Sequence, residues 1–460
     1  MPPPASEDMA MAPVTVQTNA RKSVAATQGD VVGKQSEYKE YQPFEERRVD
    51  NPTTNAETLF NFIKCCMGTG ILAMPNAFYN SGYVLGGVGM LVIASVVIYC
   101  KHMLLWASYE QCQRKKVPSL NLPDTVLAAC CSGPPLLRRS AAVARGITEW
   151  FVFAYMSGVL VVYTVFVGDN LKAVVDQYAV SLDVRLYMLF SLPLFVAINL
   201  VRDLKFLAPF SVAANLLAFL SIGIVLYYVG CQLWQPGDIE PVGQLANIPL
   251  FLGTAMFAVE CASYVLTFEH KMKRPQDYGG LFGVLNQGLV FIVLMYLVMG
   301  LMGYVAYGSG VKGSITLNLP NEPLAHAVRV MLCATMFVTH ALHNYVAVDI
   351  LWTARLSRRF PMYPRLGEYC VRITIVVVAF LLAVAIPQLE LFISLLGALC
   401  QSVLGIIVPA LVDTASNWYS LDGGRLPSVV AKNLALAAIG LAGLLAGSYS
   451  ALAKIVQSFQ

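Results

Sequence analysis

From residue 58 onward the chain alternates long apolar stretches with short polar connections, and the stretches are as long as membrane crossings. A bilayer core takes about 20 mostly apolar residues in a helix. Eleven segments meet that measure, centred in 58–79, 83–105, 147–169, 186–201, 206–230, 247–268, 281–306, 325–352, 369–387, 389–411 and 430–455; the fourth is short and contains Pro193. The pattern predicts an all-α membrane protein of about eleven transmembrane helices occupying residues 56–457. Residues 1–55 are different in kind, rich in Pro, Ser, Thr, Gln, Lys and Glu without an apolar run. They read as a disordered cytoplasmic N-terminal tail, with no apolar core of a cleavable signal peptide.

Lys and Arg set the expected orientation. With the tail in the cytoplasm, the inner connections carry sixteen of them, among them Arg114, Arg138, Arg202, Lys273 and Arg358, against Lys172, Arg185 and Lys312 outside. Trp106, Trp150, Trp234 and Trp352 fall near run ends, where interfacial anchors are expected. Composition agrees: 57% hydrophobic and 13% charged residues leave too little charge to clothe a soluble surface, so the bilayer is the expected surrounding. The net charge of +4 is spread between apolar runs, which argues against a nucleic-acid partner. Eleven cysteines without regular spacing, most of them inside apolar runs, read as small core residues. No metal site and no cofactor are expected.

Two runs are interrupted. In the first, Gly68, Thr69 and Gly70 lie near mid-membrane and Pro75 removes a further backbone bond. Backbone that leaves the helix at this depth needs protein or a water-filled cavity to satisfy it. In the sixth, the run from Gly253 to Ser263 (GTAMFAVECAS) places the carboxylate of Glu260 at similar depth, at a cost of about 2.5–3.5 kcal/mol on insertion scales. The two runs correspond if the first ten helices form inverted repeats of five, repeat one at 57–230 and repeat two at 247–411, with an extra helix at 430–455. Free N–H groups at Gly68, Thr69 and Gly70 then suit a carboxylate, and free carbonyls at Phe257 and Ala258 suit an ammonium. Such a pair of ends describes a pocket for a free amino acid. Close helix packing is the other use of such glycines, and is expected for Gly82 with Gly86 and Gly443 with Gly447.

The run from Phe62 to Pro75 (FIKCCMGTGILAMP) resembles the first-helix signature of the proton-coupled amino acid transporter family, in the amino acid/auxin permease superfamily and in an insect-like form. The run from Gly253 to Glu260, and Glu269 to Lys273 (EHKMK), resemble that family's sixth helix and the connection after it. The likeness extends loosely from about residue 50 to the end. It implies eleven helices, a leucine-transporter-type fold of 5+5 inverted repeats plus one helix, and transport of small neutral amino acids by alternating access. It also implies that Gly68, Thr69, Gly70, Phe257 and Glu260 line the site. One departure concerns the coupling ion. Characterised members carry a histidine in this part of the first helix, whereas this chain has Asn61 there and Cys65 and Cys66 where Gly-Asn is usual, and an amide does not titrate.

Other residues are candidates for carrying the proton. Glu260 comes first, since a desolvated carboxylate takes up a proton more readily; the alternative is a structural carboxylate held by free amides. His340 and His343 share a helix face, and Tyr155 is placed to close the pocket. Thr335 and Thr339 are weaker candidates for holding sodium, the second choice of coupling ion. Lys64 is expected to pair or to snorkel. The leading function is therefore secondary transport of small neutral amino acids. An amino acid sensor read through the tail by a cytoplasmic signalling partner, or an uncoupled facilitator, would use the same pocket. Tyr41 to Phe44 has the form of a short sorting signal. A channel is disfavoured by the lack of a filter-like repeat, and an enzyme by the lack of a nucleophile, phosphate-loop or metal spacing. Plasma membrane and lysosomal or vacuolar membrane are both left open.

Overall fold

The structure is a computed structural model and describes residues 41–47, 49, 52–178, 180–202, 204–234, 236–259, 262–357, 364–420 and 424–459. In chain order the helices are α1 (Asn55–Cys66), α2 (Thr69–Ser81), α3 (Tyr83–Lys115), α4 (Leu122–Ser132), α5 (Pro135–Val175), α6 (Val184–Asn199), α7 (Leu204–Gln232) and α8 (Ile248–Ala258). They continue as α9 (Ala262–Lys271), α10 (Val284–Tyr307), α11 (Pro323–Val348), α12 (Pro364–Ala385), α13 (Leu389–Leu396), α14 (Val408–Asn417) and α15 (Leu426–Gln457). A π-helical stretch, Gly397–Ile407, joins α13 to α14, and another, Asp349–Leu356, extends α11. Among the described residues the β pairing is a single bridge between Thr53 and Met272.

Among the described residues eight helices are long and apolar enough to cross a membrane, and the pair α1 and α2, bent by 51° at its break, makes a ninth if it is counted as one span. The two other expected crossings fall on shorter apolar helices, α6, which runs through Pro193, and α8 followed by α9. The apolar pattern gives no sign of α4. It is short and is built by its cap: Asn121 Oδ1 accepts from the Asp124 N–H at 2.9 Å.

Local chemistry explains the other ends. Thr54 and Glu57 form a capping box that starts α1, Oγ1 of Thr54 accepting from the Glu57 N–H and the Glu57 carboxylate from the Thr54 N–H. Gly82 has φ of 83° in the turn between α2 and α3, and a Cβ there would lie 2.7 Å from backbone of Pro241 and Val242. Gly82 therefore serves the turn and not helix packing. Gly443 and Gly447 do let α15 approach the π stretch, at Ser402 and Ala398. Trp106, Trp150 and Trp234 are exposed, but Trp352 is buried, with Gly367 against its ring, because it points into the bundle.

The packed unit begins at Gln42, earlier than the polar composition suggests. Phe44 stacks on Tyr109 at 4.4 Å, and Arg47 pairs with Glu269 at 2.7 Å with both side chains buried. Thr53 exchanges backbone hydrogen bonds with Lys271 and Lys273, each 2.9 Å, and Asn55 donates to Asp277 at 2.8 Å. Thus the strap before α1 is fastened to the end of α9. Residues 1–40, the bulk of the expected tail, lie outside the described residues.

Candidate functional site

The first broken helix organises the site. Met67 has φ −80° and ψ 64°, and the Gly68 N–H reaches back to the Cys66 carbonyl at 2.9 Å, which is an inverse γ-turn. The same carbonyl accepts from the Tyr296 hydroxyl of α10 at 2.5 Å. The end of α1 is thereby closed off by a neighbouring helix. The start of α2 is not: Gly68 precedes it, no side chain caps it, and its first N–H groups have no partner within the helix. Opposite it, α8 stops at Ala258. A Cβ on Gly70 would lie 3.1 Å from the Ala258 Cα and 3.6 Å from Phe257 Cδ1, so the two half-helices meet there.

A small pocket of about 30 Å³ sits at this meeting point. Gly68, Thr69, Gly70, Tyr155, Phe257 and His343, all named from the sequence, line it together with Tyr163 and Tyr264. Ala258 packs behind Gly70 instead of lining it. Glu260 lies outside the described residues. His343 faces the pocket, whereas His340 is fully buried beside Phe195 and meets Asn199 at 2.9 Å. The two histidines, three residues apart, do not share one site, since His340 is turned toward α6.

A vestibule of about 620 Å³ lies on the side of the strap and reaches Thr53 and the exposed Lys271. It shares Cys65, Gly68, Tyr163, Tyr264 and His343 with the small pocket, so these five form the partition between the two. The Tyr264 hydroxyl lies 3.2 Å from His343 Nε2, and His343 Nδ1 lies 2.9 Å from the Thr339 carbonyl. A carbonyl only accepts, so Nδ1 carries the hydrogen and Nε2 accepts from Tyr264. Tyr163 packs edge-on to His343 at 5.5 Å. Lys64 also borders the vestibule and donates to Ser211 at 2.7 Å. Thr335 and Thr339 line it too, but their hydroxyls donate to carbonyls of Met331, Ala214 and Thr335.

Tyr163, Tyr264 and Tyr296 are the residues that reasoning from sequence missed. Their signal was weak, since an aromatic in an apolar run is usually packing. Chemically the site offers helix N–H groups for an anion, a helix carbonyl end for a cation, and aromatic walls. Among the described residues lining the small pocket there is no carboxylate, Lys or Arg.

Comparison with known proteins places this geometry. The family model described as transmembrane amino acid transporter protein matches residues 51–453. The chain is 32% identical to the proton-coupled amino acid transporter-like protein pathetic of Drosophila melanogaster, over 91% of this chain and 89% of that protein. It is 24% identical to the probable amino acid transporter skat-1 of Caenorhabditis elegans, over 88% and 91% respectively. Among solved structures it resembles the inward-facing conformation of Mhp1, with a TM-score of 0.56 at 12% identity over 90% of this chain and 92% of the other. That likeness establishes the fold as the leucine-transporter type.

Proposed function

Since the chain belongs to the transmembrane amino acid transporter family, we propose that it moves small neutral amino acids across a membrane by alternating access, coupled to protons. The observation that carries this reading is the uncapped start of α2 facing the end of α8 across a small pocket. The substrate carboxylate binds the N–H groups of Thr69 and Gly70, and its ammonium the free carbonyls at the end of α8 beside Phe257. A small side chain is favoured because Tyr155, Tyr163, Phe257 and Tyr264 leave so little room. A neutral one is favoured because a charged side chain would meet no opposite charge among the described lining residues.

The conformation is open toward the strap, and the partition of Tyr163, Tyr264 and His343 is the inner gate. Release requires the Tyr264–His343 bond, which joins α9 to α11, to break. With the bias of Lys and Arg, the strap side is cytoplasmic. Glu260 is the first candidate for the proton and His343 the second.

The test is uptake of labelled amino acids by proteoliposomes at two external pH values, with and without sodium. Accumulation of glycine- or alanine-sized substrates driven by acid alone is expected. Binding without accumulation would replace transport by sensing, and sodium dependence would remove the proton. In the same assay Glu260→Gln should lose pH dependence; a preserved profile would reject the role of Glu260.

A further inference from the structure

On the face opposite the strap, Arg329 of α11 is a guanidinium only 1% exposed, and among the described residues no carboxylate pairs with it. Its donors go to the carbonyls of Thr316 at 3.1 Å and Leu319 at 2.7 Å, and to His326 Nδ1 at 3.1 Å. A guanidinium has no lone pair to offer and stays charged, so His326 Nδ1 must be the acceptor. The hydrogen of the imidazole is then on Nε2, which donates to Gln177 Oε1 at the end of α5. This network holds only while His326 is neutral.

What Arg329 grips is the cover of that face. Residues 314–319 form a short turn between α10 and α11, with Ser314, Ile315, Thr316 and Leu319 all buried. Ile315 lies against Gly303 of α10, which also packs on Pro75 of α2. Loosening the turn therefore loosens the seal over the outer half of α2.

The groups facing His326 from each neighbouring element are few. Its own helix presents Arg329, and one turn earlier Glu322, whose carboxylate accepts from Tyr228 of α7 at 2.9 Å. The end of α5 presents neutral Gln177 and the Tyr178 ring, while Lys172 and Asp176 are engaged with each other at 2.9 Å. The turn offers Arg329 its carbonyls, Lys312 beside it donates to Leu317, and the Glu390 carboxylate of α13 packs against Gly313 just before it. Of these charges, Arg329 is the one that contacts the imidazole directly.

We propose that His326 and Arg329 form an acid-sensitive clasp: protonating His326 removes the acceptor, sets two cations about 3 Å apart, and frees the 314–319 turn so that this face opens more readily. Once the turn has opened, the imidazole is released from Arg329 and takes up a proton as an ordinary histidine does, near pH 6.5, so acid below that value favours the opened clasp. The inference rests on the transport reading only for its consequence, that acid on this face favours loading.

Hydrogen–deuterium exchange of the full-length protein in nanodiscs, at pH 7.5 and 5.0 and corrected for the chemical exchange rate, tests the clasp without requiring transport. Protection of residues 311–319 should fall about tenfold at the lower pH in the wild type. His326→Asn keeps an acceptor for Arg329 but cannot take a proton, and its protection should be the same at both pH values. Arg329→Lys, which weakens the grip on both carbonyls, should show low protection throughout. Equal wild-type protection at both pH values, or an equal loss in His326→Asn, would overturn the proposal. An intact exchange response in a protein that accumulates no amino acid would leave the clasp standing and remove the transport reading.

Discussion

The glycine at position 70 is what lets α2 approach the last turn of α8, and that approach makes a sharp test. A Cβ at position 70 would lie 3.1 Å from the Ala258 Cα, 3.4 Å from its Cβ and 3.6 Å from Phe257 Cδ1. Backbone cannot retreat as a flexible side-chain tip can, so even alanine pushes the two half-helices apart by a few tenths of an ångström. Valine adds two methyl groups that point into a pocket of about 30 Å³ or against Phe257. Overpacking of this kind costs about 1–3 kcal/mol, within the about 5–15 kcal/mol that a folded domain holds in reserve, so Gly70→Val should still insert and fold. Binding should suffer more. Moving a zwitterion by the width of a methyl forfeits about two charge-assisted hydrogen bonds of roughly 1.5 kcal/mol each, a loss of at least about a hundredfold in affinity. Gly68→Ala is the control, because its Cβ meets only the Tyr163 hydroxyl at 3.8 Å, and its affinity should change by less than about tenfold. Scintillation-proximity binding with purified protein measures both, and thermal unfolding checks that each variant is folded. Native affinity in a folded Gly70→Val, or equal damage from Gly68→Ala, would refute the assignment of the α2 amides as the anion site.

Three further outcomes follow from named contacts. Tyr296→Phe removes the 2.5 Å bond to the Cys66 carbonyl and should lower stability by about 1–3 kcal/mol, read as a lower Tm; an unchanged Tm would mean that the break holds without that cap. Arg47→Ala strands the buried Glu269 and should cost about 3–5 kcal/mol, with Glu269→Gln recovering most of it in the double variant; additive losses in the cycle would deny the pair its role. Asp176 is held down to about 2 by its hydrogen bond from Lys172 and those from Tyr187 and Ser181. A carboxylate with a depressed folded value stabilises fully above its unfolded value of about 3.9 and loses that contribution as pH falls through about 2. Exchange protection of residues 180–183, which Asp176 holds through Ser181, should therefore be equal at pH 7.5 and 5.0, and a change in that window would show that another group controls the turn.

Much of the architecture was legible because a bilayer imposes length and apolarity together. The run ending at Val201 and the run starting at Asn247 still fall on helices, α6 and α8, although each helix is short. The break at Gly68 was legible too, since two glycines within three residues leave few alternatives at that depth. What could not be read was rotation. His340 and His343 share a face in a helical projection, yet a turn of the helix separates a residue in the pocket from one packed on α6. Trp352 ends a run as an anchor would, and only the position of α12 turns it inward. The partition depended on aromatics from three separate helices converging, and no local pattern records that. Polar composition also concealed the strap, whose order comes from partners more than two hundred residues away, as with Arg47 and Glu269.

The bridge between Thr53 and Met272 has a kinematic meaning. It ties the free ends of α1 and α9, the two half-helices that flank the vestibule, while their other ends terminate at the interruptions. Two rods fixed together at one end and jointed at the other swing as a single panel, so this leaf shuts or parts in one stroke, and neither edge can leak ahead of the other.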